Sequence, residues 1–285
     1  MRTLLLGNEP ARDLGHRAIL EETARAIAPD DVEQVVLTGV FLERHALDHA
    51  LAVAAEAIAH GARLRVHNLW LEGKAAADAP PAGVAVLDRA EALEVRDHRT
   101  ATQLVHWGVA AMPRILGYPE RHVASDDALA ADLPDGPILG IALRGGDAME
   151  AHWRPRLGDI AAALGPALGW PVLPLHIAPP GRGEDDLGGA QRLLAALRPD
   201  ARMLLPEFAD RRIWQARMTP ERLKALVARC ALVVTNRDLP AAYAITTGVP
   251  LLALAIGLDR RVMTCLATLA QEVPRGSRLL RLAAT

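Results

Sequence analysis

The chain has 285 residues, enough for two domains of ordinary size, and its formal net charge is −2. This charge argues against broad nucleic-acid binding, which needs a strongly basic surface. No apolar run is long enough for a transmembrane helix, the apolar run near Met1 is too short for a signal peptide, and Cys230 and Cys265 lack metal-site spacing. We therefore expect a cytoplasmic protein with no metal site.

Strand and helix patterns alternate along the first half of the chain. Strands are predicted at residues 3–6, 32–38, 64–67, 84–87 and 123–125, and helices at residues 14–28, 44–60 and 97–107. The turn-forming segment DLPDGP at residues 132–137 then interrupts the pattern. It predicts a boundary between an N-terminal domain, residues 1–133, and a C-terminal domain, residues 134–285.

The second half repeats the alternation. Strands are predicted at residues 138–143, 172–177, 203–205, 231–234 and 251–255, and helices at residues 159–168 and 187–197. Short continuous apolar runs of this kind are typical of parallel strands that are covered on both faces. The predicted fold class is α/β, with two Rossmann-like domains facing a cleft.

Arginines follow three of the predicted strands in the second half. Arg144, Arg237 and Arg261 each come at or just after the carboxyl end of a strand, the edge where open α/β sheets bind ligands. A guanidinium can hold a phosphate or carboxylate with two hydrogen bonds, so these residues indicate an anion site. Ion pairs with Asp147 or Asp238, or capping of a helix by Arg261, are the structural alternatives.

Two histidines and an asparagine occupy comparable turn positions. His176 follows a predicted strand, and His16 lies near the start of the first helix, so either could transfer a proton or bind a ligand. Asn8 lies in the first turn, where it could bind a substrate hydroxyl or stabilise the turn itself. Structural roles remain open for all three residues. Asp185 and Asp186 are expected to cap the helix that follows them.

Several segments share their order and spacing with a known family. They are LLLGNEPARDLGHRAIL at residues 4–20, EVRDHRTATQLVHWGV at 94–109, VASDDALAADLP at 123–134, ILGIALR at 138–144, VLPLHIAPPGRGEDDLGGAQRL at 172–193, and the strand–turn–helix–strand segment at 219–262. Together they resemble the polysaccharide pyruvyl transferase family over nearly the whole chain. The resemblance implies a glycosyltransferase-B-like fold and transfer of pyruvate from phosphoenolpyruvate to a cell-envelope glycan or lipid-linked sugar, with no cofactor or metal. It implies that the three arginines hold the donor.

The chain departs from the family pattern at three positions. Leu239 stands where the family has a histidine, Arg261 where it has a lysine, and His16 where it has an aspartate. An apolar side chain cannot act as a general acid, so His16 or His176 would have to supply the proton transfer.

These departures leave two other functions open. One is a glycosyltransferase or epimerase that binds a nucleotide sugar, and the other is a catalytically silent paralogue that binds a glycan or a partner protein. The predicted partners are small molecules and sugars, not nucleic acid. Peripheral membrane contact and a homo-oligomer are compatible with the sequence.

Overall fold

The structure, a computed structural model, describes residues 3–7, 34–77, 81–181, 186–256 and 261–282. These residues form two compact units, the first ending at Glu120 and the second running onward from Arg121. Each unit contains one five-stranded sheet in which every strand pairing is parallel. Within the described part of the chain, no helix combines the length and apolar character needed to cross a membrane.

The first unit has its strands side by side in sequence order, β1-β2-β3-β4-β5. The strands are Thr3–Leu6 (β1), Gln34–Phe41 (β2), Arg63–Leu71 (β3), Ala90–Val95 (β4) and Arg114–Ile115 (β5). Its described α-helices are Arg44–Ala59 (α1), Pro81–Leu87 (α2) and His98–His106 (α3). Apolar side chains from one face of β2, β3 and β4 form a single core together with side chains from all three helices.

Two strand predictions in the first half of the chain are wrong, and one short strand was not foreseen. Residues 84–87, predicted as a strand, belong to the helix α2, and the strand lies at β4 instead. A short apolar run fits a buried helix as well as a strand, and here it packs as a helix. Residues 123–125 form no strand, whereas the two-residue β5 was not predicted. The predicted helix at 14–28 lies outside the described residues.

The second unit has the strand order β10-β9-β8-β6-β7. The strands are Leu139–Ala142 (β6), Val172–Pro174 (β7), Leu232–Thr235 (β8), Leu251–Ile256 (β9) and Arg278–Leu282 (β10). The described α-helices are Asp147–Trp153 (α4), Leu157–Leu164 (α5), Asp186–Leu197 (α6), Arg211–Arg217 (α7), Pro220–Ala228 (α8), Asp238–Thr247 (α9) and Arg261–Thr268 (α10). The strand predicted at 203–205 is reduced to one bridge between Met203 and Val172, and β10 was not predicted.

Local sequence explains the helices around β8. Thr219 caps α8, since its hydroxyl accepts a hydrogen bond from the backbone N–H of Arg222, and Pro220 occupies the first helical position. Gly248 ends α9 with φ of 74°, a left-handed conformation that favours glycine. The helix before β8 therefore begins, and the helix after β8 ends, at signals that are visible in the sequence.

Residues 121–133, at the end of the predicted N-terminal domain, group with the second unit. The N–H of Asp126 donates to the carbonyl of Glu221, and the Asp126 carboxylate pairs with Arg222 at 2.8 Å. Lys224 donates to the carbonyl of Val123, and Arg121 pairs with Glu272. Because of these contacts, residues 121–133 belong to the second compact unit, whereas the sequence analysis places them in the first domain.

Candidate functional site

The strand order of the second unit contains a topological switch point. Met203 forms a parallel bridge to β7 and can be counted as a sixth strand position at that edge. When the positions are numbered in chain order, their order across the sheet is 3-2-1-4-5-6, as in a Rossmann sheet. The chain leaves β6 towards β7 on one side and returns to β8 on the other. In such sheets ligands bind in the crevice outside the carboxyl ends of the two strands at the switch, here β6 and β8.

Asn236 joins the two strand ends at this switch point. It follows β8 directly, and its side-chain Oδ1 accepts a hydrogen bond of 2.8 Å from the backbone N–H of Arg144, just beyond β6. The side chain is almost completely buried, with 2% of the residue exposed. Of the groups that the structure describes, its Nδ2 is a buried donor without a hydrogen-bond partner. A buried unsatisfied donor is costly, so this amide indicates a place for an acceptor group.

Thr235 forms hydrogen bonds at the same strand end. Its hydroxyl donates to the carbonyl of Ala142 at 2.9 Å and accepts from the N–H of Arg237 at 2.8 Å. The ends of β6 and β8 are thus connected through side chains as well as through the sheet. The backbone around Asn236 is held in place before any ligand binds, which lowers the entropic cost of binding.

Arg237 is engaged in a buried ion pair with Asp186, the first residue of α6. Both Nε and Nη2 of Arg237 lie 2.7 Å from Oδ1 of Asp186, and the two residues are 2% and 1% exposed. The other carboxylate oxygen accepts hydrogen bonds from the backbone N–H groups of Ile177 and Ala178. Asp186 therefore connects the loop after β7 to the loop after β8, while Asp185, the other predicted cap, lies outside the described residues.

Electrostatics at this pair follow from burial. Burial raises the pKa of Asp186, while the charge and hydrogen bonds of Arg237 and the two backbone N–H groups oppose that rise. The guanidinium of Arg237 is paired with the carboxylate of Asp186, which largely neutralises its positive charge. Of the three arginines predicted to hold an anion, Arg237 thus has a structural partner, one that the sequence analysis did not identify.

The remaining predicted residues have different surroundings. Arg144 is half-buried just after β6, and Arg261 is half-buried at the start of α10, after β9. His176 follows β7, is 2% exposed, and its carbonyl accepts a hydrogen bond from Trp214 Nε1. All of these residues, with Arg237, follow neighbouring strands of one sheet. Asn8 and His16 lie outside the described residues.

Leu239, which stands at the family's histidine position, is buried in α9 with 1% exposure. The same helix carries buried Asp238 in its first turn, and this carboxylate opposes binding of an anion by the helix N-terminus. Among the described residues there is no group of three or more His, Cys, Asp or Glu side chains that could hold a metal ion. The arrangement is suited to hydrogen-bonding recognition by Asn236, with Arg144 beside it.

Glycine allows α6 to lie close to the end of β6. A Cβ added at Gly189 would lie 2.3 Å from the carbonyl oxygen of Leu143 and 3.1 Å from the N–H nitrogen of Gly145. No real side chain tolerates the first distance, so the helix reaches this position only with glycine there. Gly146, with φ of 108°, then turns the chain into α4.

Comparison with known proteins shows the fold. No protein-family model matches the chain, and no curated protein matches it. A solved structure of a functionally uncharacterised protein from Klebsiella pneumoniae is similar with a TM-score of 0.51 and 8% identity, over 98% of this chain and 92% of that one. Together with the two parallel sheets, it confirms the predicted α/β class with two Rossmann-like domains.

Lower similarity extends to sugar-nucleotide proteins. The UDP-GlcNAc 2-epimerase from Neisseria meningitidis bound to UDP-GlcNAc has a TM-score of 0.44 and 11% identity, over 95% of this chain and 86% of that one. The ADP-heptose LPS heptosyltransferase II of E. coli has a TM-score of 0.44 and 14% identity, over 100% and 92%.

Proposed function

We propose that the second unit binds the phosphate-bearing part of a nucleotide sugar at the carboxyl ends of β6 and β8. In this proposal the chain is a glycosyltransferase or epimerase of the glycosyltransferase-B kind. The observation that carries it is the buried amide of Asn236, whose oxygen is bound to the N–H of Arg144 and whose nitrogen is a donor at the switch point. A phosphate oxygen is a strong acceptor for such a donor.

Arg144 has a supporting role in this proposal. It follows β6 and is followed by two glycines, which let the backbone approach a ligand closely. Arg237 acts as a positioning residue, because its ion pair with Asp186 holds the loops after β7 and β8. His176 belongs to one of these loops and remains a candidate for contact with the sugar.

Transfer of pyruvate from phosphoenolpyruvate is the second candidate, and it rests on the sequence resemblance. The half-buried Arg144 and Arg261 would hold the phosphate and carboxylate of the donor. Two observations weigh against it: Leu239 is buried and has no proton to transfer, and Arg237 is paired with Asp186. We therefore rank it below the nucleotide sugar.

The variant Asn236→Asp tests the proposed contact between the Asn236 amide and the ligand, and it preserves the hydrogen bond to the N–H of Arg144. It keeps an oxygen that accepts from the N–H of Arg144 and replaces the Nδ2 donor by an oxygen that repels phosphate. Losing one hydrogen bond to a charged group costs about 1.5–3 kcal/mol, so we expect UDP or ADP to bind about 10- to 100-fold more weakly. Isothermal titration calorimetry of both nucleotides and of phosphoenolpyruvate measures this directly.

Ser277→Ala is the matched control. The Ser277 hydroxyl accepts a hydrogen bond from the N–H of Leu251 at the opposite, amino-terminal edge of the same sheet. This variant also loses one acceptor of a backbone N–H, but its nucleotide affinity should equal that of the wild type. Wild-type protein that binds neither UDP nor ADP would refute the nucleotide proposal, and binding of phosphoenolpyruvate alone would favour pyruvyl transfer.

A further inference from the structure

The exposed surface of α1 carries two histidines that are one helical turn apart. His45 and His49 both belong to this helix, and both are exposed. Residues i and i+4 of an α-helix lie on the same face, with their Cβ atoms about 5–6 Å apart. No other two of the ten histidines in the sequence are three or four positions apart. The chain thus contains one such pair, and it lies on a helix, where this spacing brings the two rings together.

Neither imidazole has a role in holding the fold. The opposite side of α1 packs on the sheet, where Leu47 and Ala54 belong to the core of the first unit. Among the residues that the structure describes, the side chains of His45 and His49 take part in no hydrogen bond or ion pair. Both rings are therefore available to a shared ligand from solvent.

The chemistry of two neighbouring imidazoles favours transition metals. Neutral imidazole is the commonest metal ligand in proteins, and it suits Zn²⁺, Cu²⁺ and Ni²⁺. Two histidines at i and i+4 on one helical face are also the arrangement by which helical zinc motifs hold their cation. Mg²⁺ and Ca²⁺ prefer oxygen ligands, so this pair does not suit them.

The charges around the pair permit a cation. Arg44, the nearest positive side chain in the sequence, is paired with Asp48 at 2.7 Å. The amino end of a helix disfavours positive charge, and the carboxylate of Asp48, three residues after His45, acts against that effect. No third His, Cys, Asp or Glu joins the pair within the described part of the chain. A bound cation would thus have two protein ligands.

We propose that His45 and His49 form an open chelate site for Zn²⁺, Ni²⁺ or Cu²⁺, with water in the remaining coordination positions. The sequence analysis expects no metal site because the cysteines lack the required spacing, but two histidines on one helical face are a different ligand set. The cation joins successive turns of α1 and stabilises the folded first unit. The site goes beyond the proposed nucleotide function and does not depend on it.

Isothermal titration calorimetry with the chlorides of the three metals tests the site. We expect the wild type to bind each metal saturably, and His49→Ala to bind about tenfold more weakly or less, because one imidazole then acts without the other. The other histidines and the N-terminus are common to both proteins, so the difference between them isolates the pair. MgCl₂ should give no binding at this site.

Two control variants separate chelation from the number of histidines. His60→Ala removes an exposed imidazole at the carboxyl end of α1 and should bind metal like the wild type. The double variant His49→Ala with Ala52→His keeps ten histidines but places the rings seven positions apart, so it should bind as weakly as His49→Ala. Zn²⁺ should also slow hydrogen exchange of peptides from α1 in the wild type alone.

The proposal is overturned if the wild type binds none of the three metals, if His49→Ala binds them as tightly, or if His60→Ala loses as much affinity. Loss of the fold does not confuse the result, because the substituted positions are exposed and alanine has the higher helix propensity. Binding of UDP by His49→Ala should equal that of the wild type, so failure of either proposal can be recognised separately.

Discussion

Asp186→Asn should lower the free energy of unfolding of the second unit by about 3–5 kcal/mol. The change keeps the shape of the side chain but removes the carboxylate charge that lies 2.7 Å from the buried guanidinium of Arg237. Removing one partner of a buried ion pair is strongly destabilising because the remaining charge is not solvated. Urea titration monitored by hydrogen exchange of peptides from β6 and β8 measures the effect.

Two further variants show whether this loss of stability comes from the buried ion pair. Asp159→Asn removes the partner of exposed Arg156, and we expect a change of less than about 0.5 kcal/mol. The double variant Asp186→Leu with Arg237→Met removes both charges, and it should recover most of the lost stability. A loss of less than about 1 kcal/mol in Asp186→Asn would show that the pair does not hold the two loops.

Gly189→Ala should destabilise the second unit by about 3 kcal/mol, the upper end of the range for overpacking. The added methyl group would lie 2.3 Å from the Leu143 carbonyl oxygen, which is backbone and cannot rotate away. Helix α6 must therefore move away from the end of β6. Since Arg144 and Asn236 are positioned there, we also expect weaker nucleotide binding. Thermal unfolding and calorimetry of the purified variant measure the two effects.

Gly158→Ala is the control for this substitution. Gly158 lies in α5, and a Cβ added there meets no atom within 4 Å. Alanine has the higher helix propensity, so this variant should be as stable as the wild type or more stable, by up to about 1 kcal/mol. If Gly189→Ala were equally stable, the close approach of α6 to β6 would be incorrect.

The sequence predicts β8 and β9 well because local signals agree. Each is a short apolar run between turn residues, and Gly248 lies between α9 and β9, where a helix must end. The same local reasoning wrongly predicts a strand at 84–87, because a short apolar run is compatible with a buried helix as well as with a strand. The next segment, β4, is not predicted as a strand, because two of its six residues are glutamates that interrupt the apolar run.

The contacts at the candidate site depend on residues far apart in the sequence. Arg237 and Asp186 are separated by 51 positions, and the N–H of Arg144 and Asn236 by 92. No propensity or spacing specifies such a partner, so the sequence predicts an anion ligand at Arg237 and a helix cap at Asp186. Only the general rule for strand ends placed these residues at one edge.

Strand β3 contains a bulge between Val66 and Leu69, and this feature has a signal in the sequence. Core residues of β3 occupy even positions, Leu64 and Val66, and then odd positions, Leu69 and Leu71. A change of phase within one strand requires an extra residue between the two pairs. The pattern is sufficient to predict the bulge, but it does not predict that the side chain of Asn68 is fully buried.

A crystal structure of the protein with UDP tests the central claim most directly. The account predicts a phosphate oxygen within about 3.5 Å of Asn236 Nδ2, outside the carboxyl ends of β6 and β8. A nucleotide bound elsewhere on the second unit, with the Asn236 amide making no contact to it, would contradict the account.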